Sequence, residues 1–391
     1  MRNGHRRVPL SELCRFMNGN GFRPSDWKPS GLPIIRIQNL NGSKSFNYFN
    51  GAARDEWIVE PGDLLFAWAG VKGVSFGPTI WPGPKGVLNQ HIYRVVPNKG
   101  VDSYWLYAAL RLVTSRIETK AHGFKSSLVH VHKEDITRQM INLPPLPEQR
   151  KIAEILRTWD LAIESLEELR SAKEQRFQGV AQRLLAPSRA IGKDLLPTAW
   201  TPFTLGEAFI ERQDRNGHLD AEDVVTVGKY AIRNQSEHFN RSVASKDLSN
   251  YWTISPGDFV YDPMSVYYGA IGRYSGDADG LVSPAYRVLR LDKGILPEFM
   301  EHLLRSHHMR FLFETRSSQG NKEGKRRLLQ RGEFESIEFF LPSLKRQQVI
   351  ADGLAIFESD LADTEFLLDR LNLQKRGLMQ KLLTGTWRVK C

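Results

Sequence analysis

The chain has 391 residues, 41% hydrophobic and 25% charged, which suits two or three folded domains and excludes a disordered or fibrous protein. A net charge of +10 and a pI near 9.5 point to an acidic partner, of which nucleic acid is the commonest. No run approaches the roughly 18 apolar residues of a membrane span; the start MRNGHRRVPL lacks an apolar signal core, and Cys14 and Cys391 form neither a disulfide framework nor a CxxC knuckle, so a soluble cytoplasmic protein is expected.

In chain order, Val8-Pro-Leu10-Ser-Glu12 opens a segment with short β-rich runs bounded by Gly, Pro and Asn, such as Leu32–Ile37 and Asp63–Trp68. The second of these follows Trp57-Ile-Val-Glu-Pro61-Gly62-Asp63. Helical spacing covers Ser103 to Thr119, ahead of a loop centred on Gly123. The same elements then recur. Phe203-Thr-Leu205-Gly-Glu207 and Trp252-Thr-Ile-Ser-Pro256-Gly257-Asp258 lie 195 positions on (Pro61 to Pro256), and Tyr286-Arg287-Val288 repeats Tyr93-Arg94-Val95 with a two-residue slip. Val224–Val227 reads as a strand, and Pro297 to Thr315 as the helix that closes the second copy before Gly320.

A second block follows each copy. Leu143-Pro-Pro-Leu-Pro-Glu-Gln149-Arg-Lys-Ile152 and Leu341-Pro-Ser-Leu-Lys-Arg-Gln347-Gln-Val-Ile350 are 198 positions apart (Leu143 to Leu341), and the match runs without a gap to Leu185 and Leu383. Ile152, Leu156, Trp159, Ile163, Leu166, Phe177, Val180 and Leu184 fall on heptad steps interrupted at Arg170 and Lys173. Ile350, Leu354, Phe357, Leu361, Leu368, Leu371, Leu378 and Leu382 do the same in phase, interrupted at Thr364 and Lys375. Neither helix has a private core large enough for its stripe, so the two are expected to pack on each other. About 38 residues from Pro147 to Leu185 give a rod of roughly 57 Å, a spacer length. Prolines precede each helix, and Ala186-Pro187-Ser188 ends the first.

The paired domains with Pro-Gly-Asp turns, the Leu-Pro-Pro-Leu-Pro-Glu-Gln-Arg-Lys-Ile-Ala run from Leu143 and the ending Lys375-Arg-Gly-Leu-Met-Gln-Lys-Leu-Leu-Thr-Gly385 resemble the specificity subunits of type I restriction-modification systems over nearly the whole chain. The second lead-in departs from the family's pattern, with Lys345-Arg346-Gln347 where Glu-Gln-Arg is usual, and this puts the second docking surface in question. The resemblance implies an α+β fold: two mixed α/β target recognition domains in pseudo-twofold arrangement, separated by two long helices forming an antiparallel coiled coil. The segments would be 1–143 and 191–341 for the recognition domains, 144–190 for the central helix and linker, and 342–391 for the distal helix. It further implies that each domain reads half of an asymmetric bipartite DNA site. Two methyltransferase subunits and two motor-endonuclease subunits would dock on the helices, holding the S-adenosylmethionine, ATP and Mg that this chain is not expected to bind.

For DNA contact, the loops after the closing helices offer Lys125, Ser126 and Ser127 in copy one and Asn321, Lys322, Lys325, Arg326 and Arg327 in copy two. Glycine lets the backbone approach a phosphate, Lys and Arg neutralise it, and amides can read base edges. Further candidates follow the Pro-Gly-Asp strands: Lys72, Lys85, Asn89, Gln90 and His91, then Tyr267, Tyr268 and Arg273, the two tyrosines reading equally well as a half-buried strand pair. No catalytic residues and no metal ligands are expected. The chain has no GxxxxGK[ST] loop and no methyltransferase Asn-Pro-Pro-aromatic turn, and Glu118-Thr-Lys120, Glu323-Gly-Lys325, His130-Val-His132 and His307-His308 lack the partners that nuclease or zinc chemistry needs. Two alternatives stay open: a single-chain methyltransferase or nuclease, and a coiled-coil scaffold with no DNA role.

Overall fold

The computed structural model describes residues 5–120, 128–185, 200–217, 219, 223–229, 231–234, 247–319 and 327–390. It divides into two compact units, Met1–Glu168 with Phe366–Cys391, and Leu169–Glu365. Each unit therefore holds one domain copy together with part of both long helices.

The copies share a topology. In unit one a four-stranded antiparallel sheet runs in the order Cys14–Asn18, Ile92–Pro97, Leu64–Ala67, Gly77–Ile80; in unit two the order is Phe209–Arg212, Arg287–Leu291, Phe259–Tyr261, Ile271–Arg273. Leu64-Leu-Phe-Ala67 is apolar throughout because both faces of its sheet are covered. Leu64 and Phe66 join the core under the closing helix with Trp105, while Leu65 and Ala67 join a second core with Ile35, Val59 and Trp81. Phe259 and Tyr261 against Val260 split in the same way. In each unit the first strand pairs antiparallel with the last one before a long helix, Arg6–Pro9 with Met140–Leu143 and Thr201–Thr204 with Glu338–Leu341.

Two expected elements differ. The strand from Leu32 stops at Ile35, because the Arg36 N–H donates to Asn39 Oδ1 at 2.9 Å and starts a helical turn, Ile37–Leu40. The closing helix of the second copy is two helices, Pro297–Arg305 and His307–Arg316. Ser306 separates them with an extended ψ of 151°, its Oγ accepting the Met309 N–H at 3.2 Å. Ser103–Lys120 in the first copy is continuous.

The Pro-Gly-Asp turns are built identically. Gly62 and Gly257 have φ of 90° and 91°, and Asp63 and Asp258 accept the N–H groups of Glu60 and Ser255 at 2.9 and 3.0 Å. No atom stands within 4 Å of a Cβ added to either glycine, so a side chain there is opposed by the backbone alone. Gly62→Ala and Gly257→Ala should each cost about 1–2 kcal/mol, with Asn, which tolerates this conformation better, costing less than Ala. Thermal unfolding checks that order.

The long helices are Leu146–Leu185 and Leu344–Leu383, 40 residues each. Their lead-ins are anchored by an equivalent glutamine, buried to 1% exposure in both copies. Gln149 donates to the carbonyls of Pro144 (2.9 Å) and Gly100 (3.3 Å) and accepts the Asp102 N–H (2.9 Å). Gln347 donates to Pro342 (2.9 Å) and accepts the Leu296 N–H (2.7 Å). The glutamine of the second lead-in is thus in place, and what departs there is its neighbour, exposed Arg346 where the first copy has buried Glu148. Glu148 holds Arg388 through two bonds of 2.8 and 2.7 Å and His5 at 3.0 Å.

The helices are antiparallel. In unit one Lys375 reaches Asp160; in unit two the Phe177 and Phe357 rings lie 6.5 Å apart, and Lys173 donates to Asp360 at 2.7 Å and Thr364 at 2.9 Å. Every expected seam position, from Ile152 to Leu184 and Ile350 to Leu382, is buried or half-buried.

Candidate nucleic-acid interface

In both copies the chain that leaves the loop after the closing helix returns to one point, just past the Pro-Gly-Asp strand. The Val131 N–H donates to the Trp68 carbonyl at 3.1 Å, and the Leu329 N–H to the Pro263 carbonyl at 2.9 Å. These anchors are equivalent by the repeat, so after both loops the chain resumes at the same place on two similar frames. Lys125, Ser126, Ser127, Asn321, Lys322, Lys325 and Arg326, on the loops themselves, lie outside the described residues, as do Glu323 and Gly324.

At that point unit one carries a cluster of rings. Leu128–His130 pairs with Ala69–Val71, which sets His130 over Trp68, the rings stacked at 4.8 Å. His91 lies tilted against the indole at 5.1 Å, Tyr93 stacks on it at 5.9 Å, and His132 stacks on His130 at 6.3 Å. Trp68 Nε1 donates to the Gln90 carbonyl (3.1 Å), and the Gln90 amide meets His91 Nε2 at 3.2 Å. Asn89 Oδ1 accepts the Gln90 N–H at 2.7 Å. His130, His132 and Gln90 are exposed. Of the candidates read from the sequence, Asn89, Gln90 and His91 are therefore brought together beside the stacked rings, Gln90 exposed and Asn89 and His91 half-buried.

Lys85 is spent on Glu60 at 2.6 Å beside the Pro-Gly-Asp turn, and Lys72 sits half-buried in the turn between Val71 and Gly73, where Gly73 donates to Glu118 at 2.9 Å.

In unit two the corresponding place holds Tyr267 and Tyr268. They lie in a 3-10 turn, Val266–Tyr268, not in the strand pair weighed as the alternative, because Gly269 reverses the chain at φ 108°. Tyr268 is 46% exposed, its ring edge-on to Tyr267 at 5.4 Å, and the Arg327 guanidinium covers Tyr267 at 5.5 Å. Arg327 also pairs with Glu314 at 3.2 Å. Arg273 stands apart from them: Glu298 (2.7 Å) and Glu301 (3.2 Å) of the closing helix hold it within the domain. There it lowers the Glu298 carboxyl below its ordinary range, outweighing burial, which pushes the other way.

Two residues that the sequence reading left out complete the first cluster. Trp68 could have been found as the residue that ends the Pro-Gly-Asp strand, and His130 as the end of the short strand that follows the loop. His130 and His132 stack on rings, and among the described residues no group of three His, Cys, Asp or Glu is placed to hold a metal ion. No helix among them is long and apolar enough to cross a membrane.

Residues 5–174 match the family model described as the type I restriction modification DNA specificity domain. The type I restriction enzyme EcoBI specificity subunit of Escherichia coli is 24% identical over 98% of this chain and 87% of its own length. The MjaVIII specificity subunit of Methanocaldococcus jannaschii is 23% identical over 86% and 81%. In fold, the chain is similar to the S subunit of a type I restriction-modification system from M. genitalium (TM-score 0.56, 16% identity, 98% and 97% covered). It is also similar to a chain solved to explain assembly and conformational transition of the type I system (TM-score 0.57, 15% identity, 99% of both chains).

Proposed function

We propose that this chain is a specificity subunit of a type I restriction-modification system, reading one asymmetric bipartite DNA site without catalysing a reaction itself. The observation that carries the reading is the duplicated frame with unlike side chains just past its Pro-Gly-Asp strands, Trp68, His91 and His130 in one copy against Tyr267, Tyr268 and Arg327 in the other. Identical frames position, and different side chains discriminate. Cations on the two loops, Lys125 and Lys322 to Arg327 among them, supply sequence-independent phosphate contact.

The helices set the gap and dock the partners: two methyltransferase subunits carrying S-adenosylmethionine and two motor-endonuclease subunits carrying ATP and Mg. Large apolar side chains that point away from the seam, Val349, Ile356, Phe366 and Leu373 among them, support docking there. The complex works in the cytoplasm.

The test is the methylation pattern that the chain directs together with its methyltransferase partner, read by single-molecule sequencing. One bipartite motif is expected, and Gln90→Ala should relax one half-site alone, by about 1–3 kcal/mol of discrimination. Methyl transfer or cleavage by the isolated chain favours the single-chain enzyme instead. DNA binding indifferent to salt and sequence favours the bare scaffold.

A further inference from the structure

In the first copy the hairpin that follows the Pro-Gly-Asp turn joins Leu64–Ala67 to Gly77–Ile80 through a connection that is clamped at several points. The Val71 carbonyl accepts the N–H groups of Val74, Ser75 and Phe76 at 3.1, 2.9 and 3.3 Å, and the Val71 N–H donates to Ser75 Oγ at 2.7 Å. Gly73, at φ 70°, is tied to Glu118 of the closing helix, and Phe76 is buried in the core, edge-on to Phe66 at 5.7 Å. Ala69 pairs with His130 of the ring cluster, and Val71 with Leu128, the first described residue after the loop that carries Lys125, Ser126 and Ser127. The turn therefore stands at the base of that loop, continuous with the candidate interface.

Held this firmly, the turn presents apolar surface to solvent. Val74 is 69% exposed and Val71 38%, and with Met140 they are the large apolar side chains exposed among the described side chains of this copy. Turn tips ordinarily carry Gly, Asn, Asp or Ser, and a valine this exposed contributes little to the core. The second copy repeats the device with other residues. Between Phe259–Tyr261 and Ile271–Arg273 the Asp262 carbonyl accepts the N–H groups of Ser265 and Val266 at 3.0 and 2.8 Å, and Met264 and Tyr268 stand exposed. A clamped hairpin connection with an apolar tip is thus part of the shared frame, and the residue on the tip is not.

We propose that Val74 is a specificity-determining residue that reads the C5 methyl group of a thymine in the half-site bound by the first copy. This rests on the specificity-subunit reading. In the major groove thymine alone of the four bases shows a methyl group, and an apolar side chain is what gains by covering it. The amide of Gln90 and the imidazole of His130 address donors and acceptors and leave that methyl unread. Valine suits the task because its branched side chain is stiff about its first torsion, and the clamped backbone leaves little freedom to lose on binding.

The experiment uses the full chain with its methyltransferase partner and S-adenosylmethionine, on duplexes carrying the native bipartite site with one thymine at a time replaced by deoxyuridine, which removes only the C5 methyl. For the wild type, one replacement should slow methylation at limiting DNA about fourfold, the worth of one buried methyl. Val74→Ser should slow methylation of the unmodified duplex by at least about that factor and cut the penalty of the same replacement to under about twofold. Val74→Ile should keep the penalty. The exposure of Val74 means that both variants should melt as the wild type does. A wild type indifferent to every replacement overturns the proposal, as does a recognised half-site with no thymine on either strand. A folded Val74→Ser that slows on both duplexes alike, keeping the penalty, marks a contact with protein and overturns it too. A wild type that methylates no bipartite site overturns the specificity-subunit reading instead.

Discussion

Gln149→Leu should destabilise unit one by about 3 kcal/mol, the largest loss expected from any single polar side chain here. The leucine has nearly the glutamine's volume, so no cavity term enters. What is lost is the pairing of three backbone groups, the buried Pro144 carbonyl and the part-buried Gly100 carbonyl and Asp102 N–H. Each orphaned group costs about 1–3 kcal/mol, offset in part by the apolar replacement. Gln347→Leu orphans two groups, Pro342 O and Leu296 N–H, and should cost unit two about 2 kcal/mol. Gln149→Glu keeps an acceptor for Asp102 but turns a lone pair toward the Pro144 carbonyl, so it should not rescue. Denaturant unfolding of the full chain measures all three. Equal stability of Gln149→Leu and wild type would show that these bonds contribute nothing net.

Glu148→Gln should cost about 2–3 kcal/mol at neutral pH and should flatten the acid limb of the stability curve. Burial alone would raise the Glu148 carboxyl, but the bonds from Arg388 and then His5 outweigh it and hold it below the ordinary range. A depressed carboxylate stabilises the fold fully above its unfolded pKa, near 4.3, and loses that contribution as pH falls through the lower folded value. The wild type should therefore lose stability below about pH 5 more steeply than Glu148→Gln. Unit two has exposed Arg346 at the equivalent place, so on acidification unit one should open first. Near-ultraviolet circular dichroism against pH, with Arg388→Met as the second arm of a double-mutant cycle, tests this. Parallel acid limbs would exclude Glu148 as their source.

Much of the architecture was legible before any coordinates. The repeat placed both copies of the frame. The heptad steps named the seam from Ile152 to Leu382 and flagged Arg170, Lys173, Thr364 and Lys375 as its exceptions. Such features are periodic, and a period is carried by the chain itself. The break at Ser306 was hidden because apolar spacing continues across it, and only the extended backbone with its Met309 cap reveals the stop.

What the sequence by itself determined is thus the duplicated frame and the pair of helices with their matched heptad stripes. Tertiary structure alone decided which distant groups meet: His130 with Trp68, Arg388 with Glu148, Lys375 with Asp160, and Arg273 with the carboxylates of its own domain. The physical reason is that helix and strand follow from neighbours a few residues away. The fate of a charge or a ring depends on partners separated by tens to hundreds of positions, chosen only when burial makes leaving them unpaired costly.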